Sequence, residues 1–207
     1  NKIEVITGFG KLGAGGKVVV TNEGKDKTYT TKHAIIATGA RSRVLPNLKQ
    51  DGKKIIGYRE ALALNTAPKK MVIVGSGAIG VEFAYFYNTM GVDVTVVEYQ
   101  SNIVPVEDVD VSKQLARSFK KSGIKIITNS SVEKVDTSGS GCKVTIKKDK
   151  GNETIDCDTV LSAVGIEANI EGIGLEELGV KTEKGKIIVD DYYRTNVLGV
   201  YAIGDVL

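Results

Sequence analysis

The 207-residue chain is 42% hydrophobic and 26% charged, with 28 Lys and Arg against 25 Asp and Glu and a formal net charge of +3. That balance is ordinary for one globular domain or two small ones, and the dispersed basic residues argue against a nucleic-acid partner; the main local group, Lys147, Lys148 and Lys150, reads as a solvated hairpin. No apolar run approaches the ~18 residues that span a bilayer and no signal-peptide pattern opens the chain, so the default expectation is a cytoplasmic location without a membrane partner.

From the N-terminus, Lys17 to Thr21 reads as a strand, and a polar strand from Thr28 feeds the apolar run Ala34 to Ala37, which stops at Thr38 and Gly39. The stretch Arg41 to Pro68, which contains Pro46, reads as a loop, a short helix near Arg59 to Leu64 and a linker, with a domain boundary near Pro68.

Met71 to Val74 is a short β-branched run suited to a buried parallel strand, and it runs into Gly75 Ser76 Gly77 Ala78 Ile79 Gly80. A turn this tight needs glycine. Gly75 permits the turn, Gly77 lets backbone approach a pyrophosphate, and Gly80 lets the new helix pack closely; N–H groups at the helix start then meet phosphate oxygens. That helix carries Phe83, Ala84 and Phe86 towards Gly91, a C-terminal cap, and Val92 to Val97 forms the next strand. Glu98 ends the strand 23 residues after Gly75. The acid that accepts hydrogen bonds from the adenine ribose hydroxyls is expected at about 20. A carboxylate there repels a 2′-phosphate, and no arginine stands among Tyr99, Gln100, Ser101 and Asn102 to hold one, so NAD is favoured over NADP. An ordinary βαβ unit is the alternative reading of the same pattern.

Asp110 is placed to cap a helix with Val111, Leu115 and Phe119 on one face, ended by Gly123, and Ile124 to Thr128 is a third strand. Residues 154–165 then repeat the pattern of residues 28–39 without gaps, an offset of 126, and Lys143 to Lys147 precedes the second copy as Lys17 to Thr21 precedes the first. Two copies of one β-meander are expected. At the same offset, the counterpart of the Gly75 turn falls before residue 1, which implies a chain that begins inside a first nucleotide-binding domain. Cys142 and Cys157 lack CxxC or metal-ligand spacing, and with the single histidine, His33, they find no chemical match in the other copy. All three are expected to be incidental, with no metal site. The remaining chain runs through Ile187 to Val189 and Val200 to Asp205 and is expected to return to the first domain.

Three motifs together, Ala37 Thr38 Gly39 Ala40, the Gly75 to Glu82 turn, and Tyr201 Ala202 Ile203 Gly204 Asp205, resemble the pyridine nucleotide-disulfide oxidoreductases across essentially the whole chain. The resemblance implies an α/β fold: a Rossmann-like parallel sheet with a β-meander, inserted in part of a second domain of the same type. Expected boundaries are a first FAD-domain segment at 1–67, an NAD domain at 68–166 and an FAD-domain return at 167–207. It implies that the first and last motifs, with Thr38, Gly39 and Ala40, line a flavin site, that Asp205 accepts a hydrogen bond from the ribityl chain, and that Gly10 approaches the FAD adenosine end. It places Glu82 near the nicotinamide, unless that carboxylate is merely favoured near a helix N-terminus, and makes Val132 and Gly165 further backbone contacts to NAD. Ile79 with Gly80, and the run Val104 to Asp110, resemble the dihydrolipoamide dehydrogenase branch, whereas Ile166 Glu167 Ala168 Asn169 departs from the family's usual Arg-x-Pro-Asn.

The implied parent is a homodimer that oxidises dihydrolipoyl groups of 2-oxo acid dehydrogenase complexes with FAD and NAD. The expectation for this chain is a piece that binds NAD, contains no catalytic residue and does not turn over, its flavin site incomplete. A stand-alone NAD-binding module, or part of another flavin reductase such as an NADH oxidase, are the alternatives.

Overall fold

The computed structural model describes residues 2–148 and 151–207, and packing divides the chain into two compact units. One comprises the residues up to Arg41 together with Ile166–Leu207; the other is Ser42–Gly165. Lys150, expected in a lysine hairpin, lies outside the described residues.

The first unit opens with an antiparallel meander of β1 (Phe9–Gly13), β2 (Lys17–Asn22) and β3 (Lys25–Thr30). Glu23 and Gly24 join β2 to β3 with both φ positive, 49° and 74°, the two-residue turn whose twist suits a hairpin. After it come β4 (Ala34–Ile36) and β5 (Ala40–Ser42), where the chain leaves this unit.

The second unit is built on a parallel sheet. In chain order it holds β6 (Ile55–Ile56), α1 (Tyr58–Leu62), β7 (Lys70–Val74), α2 (Ala78–Thr89), β8 (Asp93–Val97), α3 (Val109–Lys121) and β9 (Lys125–Ile127). A second meander, β10 (Ser131–Asp136), β11 (Cys142–Lys148) and β12 (Gly151–Cys157), leads into β13 (Thr159–Ser162). The sheet order is β6-β13-β7-β8-β9, every pairing parallel. Strand alternation sorts the sheet's side chains to two cores. Ile56, Met71, Ile73, Val94, Val96 and Leu161 face the helices, while Ile55, Val72, Val74, Val97 and Val160 face the meander's Val144 and Ile146. The result is three layers, helices on one face of the sheet and the meander on the other.

The compact unit thus begins at Ser42, earlier than the boundary expected near Pro68. The reason is burial: Leu48, Ile55, Ile56 and Ala61 all belong to this unit's cores, and β6 is hydrogen-bonded to β13. Two expectations for α3 need correction. Asp108, not Asp110, is the cap, its carboxylate accepting from the Asp110 N–H at 2.8 Å. Phe119 is buried and Leu115 packs against the core, but Val111 is exposed; the buried residue of that first turn is Ser112, whose Oγ donates to the Ile103 carbonyl at 2.7 Å. The repeat is present as two meanders whose third strands, β3 and β12, begin 126 residues apart.

Returning to the first unit, the chain forms β14 (Ile166–Ala168), α4 (Leu175–Leu178), β15 (Thr182–Glu183), β16 (Lys186–Ile187) and β17 (Val200–Ala202). β17 pairs in parallel with β4, and Ile36, Ile173, Leu175, Ala202 and Val206 are among the residues of this unit's core. Arg41, on β5, reaches the segment that follows β14. The Arg41 guanidinium donates to Glu171 at 2.7 and 3.0 Å and to the Asn169 side chain at 3.0 Å.

Arg41 holds the exposed Glu171 carboxyl down to about 2. A carboxylate depressed in the folded chain favours folding above its unfolded value and loses that contribution as pH falls through the folded value, here about 2. An NMR carboxyl titration is expected to find Glu171 at the bottom of the acidic range, and Arg41→Ala to return it to near 4.3, the ordinary glutamate value. An unchanged midpoint in Arg41→Ala would rule the pair out as the cause.

Candidate functional site

In the second unit the C-terminal ends of adjacent parallel strands emerge at one edge, the place where open α/β sheets accept ligands. β7 ends at the Gly75 turn, β8 at Glu98 and β13 at Ala163 to Gly165, and these three strands lie side by side. Gly75 N–H donates to the Val97 carbonyl at 2.9 Å and Ala163 N–H to the Val74 carbonyl at 2.8 Å, which ties the turn to both neighbours.

The three glycines of the turn differ in what surrounds them. Gly75 has φ +97°, and a Cβ there would lie 2.4 Å from the Ala163 carbonyl oxygen. At Gly80 a Cβ would fall 2.1 Å from the Gly75 carbonyl oxygen, so Gly80 lets the helix sit directly on the turn. Gly77 is the opposite case: nothing lies within 4 Å of its Cβ position. It is also the N-cap of α2 and makes no side-chain capping bond, so no capping side chain occupies the first-turn N–H groups there. Ala78 is exposed and Ile79 half-buried on this first turn, and Glu82 stands exposed one turn further along α2.

Glu98 is only 7% exposed. Its Oε2 accepts from Ser76 N–H at 2.8 Å and Ser76 Oγ at 2.6 Å, and its Oε1 accepts from Gln100 N–H at 2.8 Å. A carboxylate offers about four lone-pair sites. Three are occupied by these protein donors, which leaves one acceptor position, on Oε1, for a hydroxyl. Ser76 was expected to touch the cofactor; its N–H and hydroxyl are both committed to Glu98, its carbonyl accepts from Val104 N–H at 2.9 Å, and the residue is wholly buried. It is a positioning residue for Glu98. The sequence signal for this was the serine itself, a donor placed one residue after the turn glycine.

Val132 opens the meander and is buried, and its carbonyl accepts from the Asn47 side chain at 2.6 Å. Gly165 is exposed with φ +112°, and its carbonyl accepts from Arg43 N–H at 2.9 Å. Asn47 and Arg43 were not anticipated as neighbours of these positions, because they come from a segment without periodicity.

In the first unit the parallel pairing of β4 with β17 carries two motifs to one sheet edge. Ile203 N–H donates to the Ile36 carbonyl at 3.0 Å, so Ala37 to Ala40 and Ile203 to Asp205 leave the sheet side by side. Thr38 and Gly39 clasp Asn169: the Thr38 hydroxyl donates to its carbonyl at 2.6 Å, its amide donates to the Thr38 carbonyl at 3.0 Å, and its N–H donates to the Gly39 carbonyl at 2.9 Å. Ala40 is buried and Asp205 exposed just past Gly204, which has φ +77°. Gly10 lies in β1 opposite Val20, with nothing within 4 Å of its Cβ position, and no hydrogen bond joins it to that edge. Among the described residues no helix is long and apolar enough to cross a membrane, and no group of three or more His, Cys, Asp and Glu could hold a metal ion.

Comparison with known proteins places these features in a family. The chain is 45% identical to dihydrolipoyl dehydrogenase of Rhizobium etli over 100% of its own length and 46% of that protein, and 43% identical to leghemoglobin reductase of Glycine max over 100% and 40% respectively. It therefore spans about half the length of the curated relatives it matches. Among solved structures, LpdA of Mycobacterium tuberculosis superposes with a TM-score of 0.87 at 32% identity, covering 98% of this chain and 45% of that one. The HOCl-induced flavoprotein disulfide reductase RclA of Escherichia coli superposes at 0.84 and 26% identity, over 98% and 46%. With the profile described as pyridine nucleotide-disulphide oxidoreductase matching residues 1–207, the chain belongs to that family.

Proposed function

We propose that the second unit holds NAD at the edge formed by Gly75 to Gly80, Glu98 and Gly165, within an NAD-dependent flavoprotein oxidoreductase of the dihydrolipoyl dehydrogenase type. The observation that carries this reading is the open backbone at Gly77 set beside a buried, pre-positioned carboxylate at Glu98. The first suits a pyrophosphate at a helix N-terminus, and the second suits a ribose hydroxyl. Ser76 holds Glu98 in place before any ligand arrives, so little ordering is left to do on binding. Glu82 faces solvent further along α2 and is assigned to the nicotinamide end, with Val132 and Gly165 as backbone neighbours of the bound dinucleotide.

The first unit is assigned to a flavin site. Thr38 to Ala40 and Asp205 leave one sheet edge together, with backbone bent by the positive φ of Gly39 and Gly204, and an exposed aspartate is a suitable acceptor for a ribityl hydroxyl. Gly10 is assigned to the adenosine end. By this reading Ser42–Gly165 is the NAD-binding domain and the flanking segments belong to the FAD domain. When bound, nicotinamide supplies the carbon that accepts a hydride and flavin the group that passes electrons on. The substrate class follows the name of the dihydrolipoyl dehydrogenase relatives, dihydrolipoyl groups, and the family resemblance adds 2-oxo acid dehydrogenase complexes as partners of a homodimeric whole protein.

Titration of the chain with NADH and with NADPH, followed by nicotinamide fluorescence, tests the cofactor assignment. NADH is expected to bind more tightly, because Glu98 disfavours a 2′-phosphate. Equal affinity would remove the role given to Glu98.

A further inference from the structure

Cys142 and Cys157, which are 15 positions apart and without a recognisable motif, stand directly opposite each other in the register of β11 and β12. They are the only cysteines of the chain. Residues paired in this way across antiparallel strands have Cα atoms about 4.5 or 5.5 Å apart, both within the roughly 4.4 to 6.8 Å that a disulfide spans, and their side chains leave the same face of the sheet. Here that face is the core between the meander and the parallel sheet, where both thiols are free and the Cys142 thiol is within reach of the Lys54 and Asp158 carbonyls, at 3.8 and 3.7 Å. They are 4% and 6% exposed, yet both also line a cavity of about 430 Å³ bordered by Lys70, Gly139, Lys143 and Asp158. Asp158 accepts from the N–H groups of Lys69 and Lys70, so this cavity lies where β7 and β13 begin, at the edge opposite the Gly75 turn.

We propose that Cys142 and Cys157 form a cross-strand dithiol that a low-molecular-weight disulfide entering this cavity oxidises to an intramolecular disulfide. Such a site is separate from the cofactor edge and independent of the cofactor assignment. Cys142, as thiolate, attacks one sulfur of the small disulfide; a protein-to-reagent S–S bond forms, the reagent's own S–S bond breaks, and its other half leaves as a thiolate that takes up a proton. Cys157, as thiolate, then attacks the Cys142 sulfur, forming the Cys142–Cys157 bond and expelling the second half of the reagent, again protonated. Two protein thiols are oxidised and one small disulfide is reduced to two thiols. Burial pushes both thiols up, Cys157 to about 12, while the Lys54 charge draws Cys142 back down, which makes Cys142 the attacking sulfur.

The test is incubation of the native, reduced chain with glutathione disulfide, followed by thiol counting, intact mass and non-reducing peptide mapping. The expected result is loss of both thiols, a chain two hydrogens lighter, a Cys142–Cys157 cross-linked peptide and recovery of both thiols with dithiothreitol. Cys157→Ser is expected to stop at a mixed disulfide, one glutathione heavier and linked at Cys142. The proposal is overturned if the native chain keeps both thiols under conditions that oxidise the denatured chain, or if the product is an intermolecular dimer. Glutathione on Cys142→Ser but not on Cys157→Ser would overturn Cys142 as the attacking sulfur.

Discussion

Gly75→Ala is expected to lower the unfolding free energy by about 3 kcal/mol or more, while Gly77→Ala, two residues on, costs under about 1 kcal/mol. The two glycines look equivalent in sequence and are opposite in space. At Gly75 a methyl group meets the Ala163 carbonyl oxygen at 2.4 Å and carbon at 2.8 Å, and those atoms are backbone that cannot turn aside. The φ of +97° adds strain of its own for any residue with a Cβ. Gly77 has φ −66° and empty space at the Cβ position, so alanine there loses only some capping preference. If that space receives a pyrophosphate, Gly77→Ala nevertheless weakens NADH binding. Urea unfolding and NADH titration on both variants separate the effects, and wild-type NADH affinity in Gly77→Ala would sink the pyrophosphate assignment.

Glu98→Ala is expected to cost about 2 to 4 kcal/mol of stability and to narrow the preference for NADH over NADPH about tenfold or more. The stability term arises because Glu98 is the acceptor for the N–H groups of Ser76 and Gln100 and for the Ser76 hydroxyl, and removing it leaves the two Ser76 donors unpaired at a buried position while the exposed Gln100 turns to water. Water entering the vacated space offsets part of this loss, which keeps the figure below the sum of three bonds to a charged group. The binding term has a separate origin, since the carboxylate both accepts a ribose hydroxyl and repels a 2′-phosphate. Thermal or urea unfolding reads the first, and paired titrations read the second. A variant that loses stability but keeps the full cofactor preference would leave Glu98 as a tie for the turn and nothing more.

Much of the second unit was legible because its signals are local. A β-branched strand, a glycine turn and a helix closed by Gly91, with φ +87°, are settled within a few residues of each feature, by sterics that act whatever lies beyond. The meanders were legible for a related reason: the same alternation appears twice at one offset, and period-2 burial along β11, with Cys142, Val144 and Ile146 inward, is what that alternation demands. The errors fell where a choice depends on a partner distant in sequence. Asp108 caps α3 where Asp110 was expected, and Ser112 turns inward where Val111 was expected, because Ile103 packs against α3 and supplies the carbonyl that Ser112 bonds. Residues 42–67 carry too short a pattern to show that Ile55 and Ile56 join the parallel sheet beside β13.

Cys142 and Cys157 illustrate the division most plainly. The repeat equates them with Gly16 and Thr31, and in the first meander Thr31 N–H bonds the Gly16 carbonyl at 2.8 Å, so the juxtaposition is a property of the meander that either copy possesses. Sequence by itself determined the glycine turn, the acid at its expected distance, the duplicated meander and the family those motifs resemble. Each is a local pattern or a comparison of patterns. Only the tertiary structure decided that Gly77 is the open glycine, that Ser76 serves Glu98, that Arg41 reaches Glu171, and that two thiols face each other. Register and burial between distant segments place those groups, and such contacts are written in no single stretch of chain.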